Sequence, residues 1–273
     1  MRKIAFLLKA LVCVLACGSA SAQEAAIDVG AATCLLKPKQ VIQVSSAVFG
    51  VLASVLVDRA DKVKSGQVVA RLVATVEEAQ VAIDQLRAKN TTQIEAAKVD
   101  LGWNQRSLER KLKLSEHGYT KKNDIDEYQT KVEQDKIAIR KAEDDKKLAA
   151  LELSRSEAQL NLKIIRSPVD GVVTDLNLRP GEYIYENTPI MTIAQIDPLS
   201  VDLVLPSSRY GDIKEGMTAK LRLQTPVDAS YTATVDAIDP VIDAASDTFR
   251  VRLVLPNPGY SIPAGIRCSA LLF

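Results

Sequence analysis

The 273-residue chain contains one histidine, His117, and four cysteines, Cys13, Cys17, Cys34 and Cys268. Catalysis needs unlike groups gathered in one pocket, a nucleophile beside a base or a pair of carboxylates, and these residues offer little of that. His117 sits in the polar run Ser115-Glu116-His117-Gly118-Tyr119, which reads as a plain exposed loop. Two cysteines and a histidine so far apart lack metal-ligand spacing, and no glycine-rich phosphate loop occurs. The expectation is a protein that is not an enzyme and carries no cofactor or metal. What remains is contact chemistry in Arg110, Leu114 and Thr120, within RKLKLSEHGYT. Arg110 offers a planar donor fork for carbonyls or carboxylates, Leu114 an apolar contact, and Thr120 a hydroxyl that caps a helix or donates. The plainer alternative stays open: Leu114 closes a helical seam, Thr120 only caps, and Arg110 is solvated.

The first residues read as an address. Met1-Arg2-Lys3 is a positive start, Ile4 to Ala16 an apolar stretch, and Ala20-Ser21-Ala22 a small-residue cleavage site, the pattern of a secretory signal peptide over residues 1–22. Cys17, preceded by Val14-Leu15-Ala16 and followed by Gly18-Ser19, is an alternative site for lipid attachment; Lys9 and Leu15 favour the soluble form over it. Cleavage after Ala22 leaves Cys34 and Cys268, an even pair in an oxidising compartment and so a disulfide candidate, with two buried free thiols as the alternative. Lys plus Arg at 35 against Asp plus Glu at 34 leaves a net charge of +1, which provides no field to recruit nucleic acid. Aromatic residues are only 4% and Trp103 is the sole tryptophan, against a stacking surface for bases or sugars.

The elements that must position these residues show in two patterns. Val51 to Leu72 recurs, without a gap, 121 residues later as Val172 to Ile193: an extended, β-branched segment with a turn at Gly66 or Asn187, both tolerant of positive φ. Between the copies, from about Thr75 to Asn161, the apolar period changes from two to about three and a half. Ile125, Tyr128, Val132, Ile139, Ala142, Ala149, Leu153 and Leu160 form one seam, interrupted at Asp135, Lys146 and Ser156. Val76, Ala79, Ile83, Leu86, Ile94, Ala97, Leu101 and Leu108 form its counterpart, with a slip near Asn90. Gly118 breaks the pattern midway, and no proline intervenes. This predicts an antiparallel helical hairpin with arms of ~40 residues, ~60 Å long at 1.5 Å per residue. Its charged faces, such as Lys136, Arg140, Lys141 and Glu143, are a solvated exterior. After Leu199, alternating runs at 201–205, 220–223 and 231–237 read as short strands separated by turns at Gly211, Gly216, Pro240 and Gly259.

Placing a two-stranded coil where a repeated β unit divides resembles the periplasmic adaptors, or membrane fusion proteins of the HlyD-like family, of tripartite efflux pumps. The resemblance is carried by Val55-Leu56-Val57 with Asp61-Lys62-Val63-Lys64-Ser65-Gly66-Gln67-Val68-Val69-Ala70-Arg71-Leu72, and by the return through Ile165-Arg166-Ser167-Pro168-Val169-Asp170-Gly171-Val172-Val173. It implies a split lipoyl-like domain, an inserted coiled-coil hairpin and a β-barrel that includes Thr248-Phe249-Arg250-Val251-Arg252-Leu253, with the short strand at Cys34 completing the barrel and bringing that cysteine toward Cys268. In adaptors that dock on TolC-like outer-membrane channels an Arg is followed four residues later by Leu and ten later by Ser or Thr, the spacing of Arg110, Leu114 and Thr120. Ala60 departs from the family's glycine in the first half, which puts that local turn in question. The lipoyl-carrier alternative needs a lysine at the junction Leu72-Val73-Ala74-Thr75-Val76-Glu77-Glu78, and none is there; Lys62 and Lys64 precede the turn glycine and read as strand-edge charges.

The expected fold class is therefore an elongated α+β multidomain chain: signal peptide 1–22, N-terminal segment and barrel strand 23–40, lipoyl-like halves 41–74 and 162–198, hairpin 75–161, and barrel 199–273, with the membrane-proximal domain missing or minimal. The expected partners are an inner-membrane transporter, of RND type or else ABC type, a TolC-like channel, and further copies of the chain in a trimeric or hexameric ring. The expected location is the periplasm, at the inner membrane. A secreted coiled-coil scaffold without a transport role is the remaining alternative.

Overall fold

The computed structural model describes residues 27–185 and 188–272. The signal peptide, Cys17 and Asn187 lie outside them. The elements run β1 (Ile27–Ser45), β2 (Gly50–Val55), β3 (Lys62–Val63), β4 (Val68–Leu72), α1 (Thr75–Lys89), α2 (Thr92–Glu116), α3 (Lys122–Asn161), β5 (Ile164–Arg166), β6 (Gly171–Leu176), β7 (Tyr183–Ile184), β8 (Pro189–Pro206), β9 (Thr218–Leu223), β10 (Ser230–Ile238), β11 (Thr248–Leu255) and β12 (Arg267–Leu272). They divide into two compact units. One comprises Pro38–Leu199 with Asn257–Ser261; the other takes the described residues up to Lys37, Ser200–Pro256 and those from Ile262 on.

In the first unit the sequence repeat becomes a structural exchange. Strand β2 lies between β4 and β7, and its counterpart β6 lies between β8 and β3. Each half thus supplies a short strand to the sheet of the other. The core is made of residue pairs at the same offset of 121: Leu52 with Val173, Val63 with Ile184, Val69 with Ile190, and Leu72 with Ile193. The correspondence begins before Gly50, where the sequence comparison started. Val44 pairs with Ile165 in the core, and the buried hydroxyls of Ser46 and Ser167 each donate to the carbonyl two residues on, Val48 and Val169. Only the alternate, inward-facing positions are matched across those segments, because the outward ones are free to diverge.

Two turns pin the halves together. Ala60 N–H donates to Val173 O and Gly181 N–H to Leu52 O, each at 2.8 Å. Ala60 holds φ +70° where its counterpart Gly181 holds +93°, so the turn that the missing glycine put in question is formed with alanine in the left-handed region. Gly171 is required by a close approach: a Cβ there would stand 2.5 Å from Ala194 O.

The hairpin leaves this unit between β4 and β5 as one continuous helix, α3, against two shorter ones. The slip expected near Asn90 is a break between α1 and α2: Asn90 is extended (φ −70°, ψ 122°), and its side-chain oxygen accepts from Thr92 N–H at 2.9 Å, so a local side-chain bond replaces the helical one. The seam on α3 runs through the expected positions, with Val132, Ala142 and Ser156 its buried members. Ile94, Ala97, Leu101 and Leu108 on α2 are half-buried against it as expected. On α1 the expected face is wrong. Val76 and Leu86 are 76% and 74% exposed and Ile83 is also exposed, whereas Asp84 on the neighbouring face is 2% exposed. Both Asp84 carboxylate oxygens accept from Gln80 Nε2 at 3.0 Å, which is what permits a carboxylate in that position.

In the second unit, β1, β12, β9, β10, β11 and β8 follow one another as hydrogen-bonded neighbours, and β1 also pairs with β8, closing a barrel. The strands alternate, as in Ala219, Leu221 and Leu223 inward with Lys220 and Arg222 outward. The strand at Cys34 is not short: β1 has 19 residues.

Candidate functional site at the hairpin tip

Helix α2 ends with a left-handed glycine closure. Gly118, at φ +75°, donates to Ser115 O, and Tyr119 N–H donates to Leu114 O, both at 3.0 Å, the paired bonds that satisfy the last carbonyls of a helix. His117 is the exposed residue at its end. The arms are tied below the tip by Lys111 Nζ to Asp124 Oδ2 at 3.5 Å and lower down by Asn104 Nδ2 to Asp135 Oδ2 at 2.7 Å.

Arg110 and Leu114 project one turn apart on the outer side of α2, Leu114 47% exposed. Leu114 therefore does not close the seam. The Arg110 guanidinium is held from two sides: Nη2 donates to Ser107 Oγ at 2.9 Å, and Cζ lies 5.7 Å from the centroid of the Trp103 ring, within reach of a cation–π attraction. Trp103, itself 58% exposed, was missed as a site residue; its spacing of 103, 107 and 110 on one helical face was the available signal. Beside it, Glu109 sits below its ordinary pKa because Lys113 Nζ hydrogen-bonds its carboxylate. Thr120 does not cap: the residue before α3 is Lys121, with no side-chain cap bond. The structure thus sets Arg110 beside Trp103 and Ser107, with Leu114 one turn further along α2 and Thr120 in the turn beyond.

Cys34 and Cys268 are cross-strand partners of β1 and β12, Cα atoms 4.8 Å apart, joined sulfur to sulfur. Among the described residues no three of His, Cys, Asp and Glu are grouped to hold a metal ion, and no helix is long and apolar enough to cross a membrane.

Comparison with known proteins accords with this architecture. A family model described as CzcB-like, barrel-sandwich hybrid domain matches residues 40–195, and one described as CusB-like, beta-barrel domain matches residues 201–272. The cobalt-zinc-cadmium resistance protein CzcB of Cupriavidus metallidurans is 23% identical over 77% of this chain and 38% of its own length. The pyoverdine export membrane fusion protein PvdR of Pseudomonas putida is 27% identical over 76% of this chain and 54% of its own. The chain thus spans between about two-fifths and half the length of these relatives. The crystal structure of MacA from Actinobacillus actinomycetemcomitans has the same fold, with a TM-score of 0.72 at 19% identity, covering 89% of this chain and 77% of that one. The chain belongs to the membrane fusion protein family of periplasmic efflux adaptors, with a CzcB-like barrel-sandwich hybrid domain and a CusB-like, RND-type β-barrel.

Proposed function

We propose that this chain is the non-enzymatic adaptor subunit of a tripartite pump, joining an inner-membrane transporter of RND type to a TolC-like outer-membrane channel. Residues 41–74 and 162–198 act as a split lipoyl-like domain whose hairpin carries the channel contact. The observation that carries the reading is the outward pairing of Arg110 and Leu114 at the end of a hairpin that divides a repeated β unit. Leu114 provides apolar area, and Arg110, steadied by Ser107 and Trp103, meets channel carbonyls or carboxylates at reduced entropic cost. Thr120 contributes its hydroxyl from the turn. Several copies assemble around the pump axis. The chain enters the periplasm through residues 1–22, with Cys17 as the lipid anchor if cleavage falls there, and the Cys34–Cys268 bond ties the barrel's first strand to its last. Relatives bearing names as different as cobalt-zinc-cadmium resistance and pyoverdine export fit a subunit that leaves cargo selection to the transporter.

The test is recovery of cross-linked partners from envelope membranes on the tagged chain, followed by mass spectrometry. The chain should bring down an inner-membrane transporter and an outer-membrane channel, while Arg110→Asp and Leu114→Asp keep the transporter and lose the channel. Channel recovery undiminished in both variants removes the tip from the docking role. Recovery of neither partner by the unmodified chain removes the adaptor reading and leaves the scaffold.

A further inference from the structure

The barrel closes where β1 meets β8, and β12 and β11 flank that seam on either side. Across the outer wall of these four strands runs a groove of about 330 Å³ whose lining includes Leu35, Lys37, Asp202, Val204, Arg250 and Arg267. Leu35 stands directly opposite Arg267 in the β1–β12 register, and Val204 and Arg250 line a second groove together as well as this one. The order across the seam is therefore Arg267, Leu35, Val204, Arg250, a guanidinium on each side of two exposed apolar side chains. Three strand spacings of ~4.8 Å put about 14 Å between the backbones that carry the two arginines. Neither guanidinium is committed to a partner. Among the described residues Arg250 and Arg267 make no side-chain hydrogen bond and no ion pair. Arg250 only contributes, behind the N–H groups of Ala245 and Ser246, to the lowered pKa of Asp243. Lys37 differs: its Nζ is bound to Asp202 Oδ2 at 2.8 Å, so that pair is neutral and leaves the two arginines to set the potential of the groove.

We propose that this groove binds an elongated small molecule with an anionic group at each end and an apolar body between them, of the α,ω-dicarboxylate class. The guanidinium fork matches a carboxylate bidentately, and two forks separated by apolar surface select for two anionic groups separated by apolar chain. One carboxylate is taken by Arg267 and the other by Arg250, while the chain covers Leu35 and Val204 and removes them from water. A monoanion of the same length engages one guanidinium and leaves the other solvated. A short dianion engages one at a time and covers neither apolar side chain. The volume falls at the lower end of the ~300–1,000 Å³ of small-molecule clefts, which suits a ligand of this size rather than a protein surface. Because the ligand crosses the line where the barrel closes, its binding links β12 to β11 over the β1–β8 seam and stabilises the closed form by mass action. The inference does not rest on the adaptor reading, and partner recovery from membranes neither supports nor removes it.

The test is calorimetric titration of the purified full chain with three probes: sebacate, a long linear dicarboxylate; decanoate, its monocarboxylate counterpart; and succinate, a short dicarboxylate. Sebacate should bind one to one and raise the melting temperature, and decanoate and succinate should each bind about tenfold or more weakly. Arg250→Gln and Arg267→Gln should each weaken sebacate about tenfold or more, the scale of one charge-assisted contact, and bring it level with decanoate. Arg252→Gln is the control. Arg252 also faces outward on β11, but stands opposite Ala237 and outside the groove, so it removes the same charge and should leave sebacate binding unchanged. All three arginines are exposed, so their replacement spares the core, and the comparison of probes on the unmodified chain tests the proposal without any variant. No saturable heat with sebacate, decanoate binding as well as sebacate, undiminished binding in both groove variants, or an equal loss in Arg252→Gln overturns it.

Discussion

Ala60 and Gly181 perform the same task with different residues, and exchanging them measures what the difference costs. Both backbones sit in the left-handed region, at φ +70° and +93°, and both N–H groups donate at 2.8 Å to the opposite half. Left-handed backbone costs an L-residue about 1–2 kcal/mol, while glycine gives up roughly 0.5–1 kcal/mol of extra unfolded-state entropy. Ala60→Gly should therefore stabilise the unit by about 0.5–1 kcal/mol. Gly181→Ala should destabilise it by a similar amount and no more, because a Cβ at 181 meets nothing within 4 Å. In a unit of this size that is a shift of roughly 1–4 °C in Tm. Urea titration followed by circular dichroism, read as a change of midpoint at constant slope, resolves both signs, and the double variant should return close to the starting stability. A loss of stability in Ala60→Gly, or none in Gly181→Ala, would refute the claim that the two turns are equivalent and that strain sets their difference.

Three further outcomes follow from particular contacts. The Asp84 carboxylate, held below the ordinary aspartate pKa first by its Gln80 hydrogen bond and then by Ser156, Arg87 and Arg155, contributes stability that is fully present above about pH 4 and is lost as pH falls through its lowered folded value. In Asp84→Asn, thermal melts of the helical signal should lose that contribution, and a pH profile identical to that of the unmodified chain would rule the carboxylate out. Trp103→Ala should weaken channel recovery several-fold without altering transporter recovery, while Trp103→Phe, which keeps a ring for the Arg110 guanidinium, should restore most of it; equal loss in both would point to packing instead. Replacing Cys34 and Cys268 together by alanine removes a link spanning 234 residues, which should lower barrel stability by roughly 2–5 kcal/mol, and thiol titration of the unfolded, unreduced protein should find neither sulfur free.

The repeated unit was legible because strand alternation is local: residues two apart share a face whatever the rest of the chain does, so Leu72 and Ile193 stood at matching positions in sequence alone, and the structure buries both, with Leu52 and Val173, in one core. The correspondence of Ser46 with Ser167 went unseen because its neighbours differ on the outward side. The α3 seam was legible through its interruptions too, since Asp135 finds Asn104 and Ser156 lies buried. The α1 face was not. Two stripes compete there, one apolar at heptad spacing and one containing Glu77, Val81, Asp84 and Ala88, and the break at Asn90 frees α1 to turn the second toward α3. Periodicity reports that a helix has an apolar side; which partner claims it is a matter of long-range packing. Likewise the spacing of Arg110 and Leu114 is written in the chain, while only the folded helix sets Trp103 and Ser107 beside the guanidinium and moves the cap from Thr120 to Lys121. Sequence by itself determined the order of the parts and the alternation of the strands, because those follow from backbone period. Tertiary structure decided the orientation of each helix face and the surroundings of each exposed side chain, because those depend on residues far away in the chain.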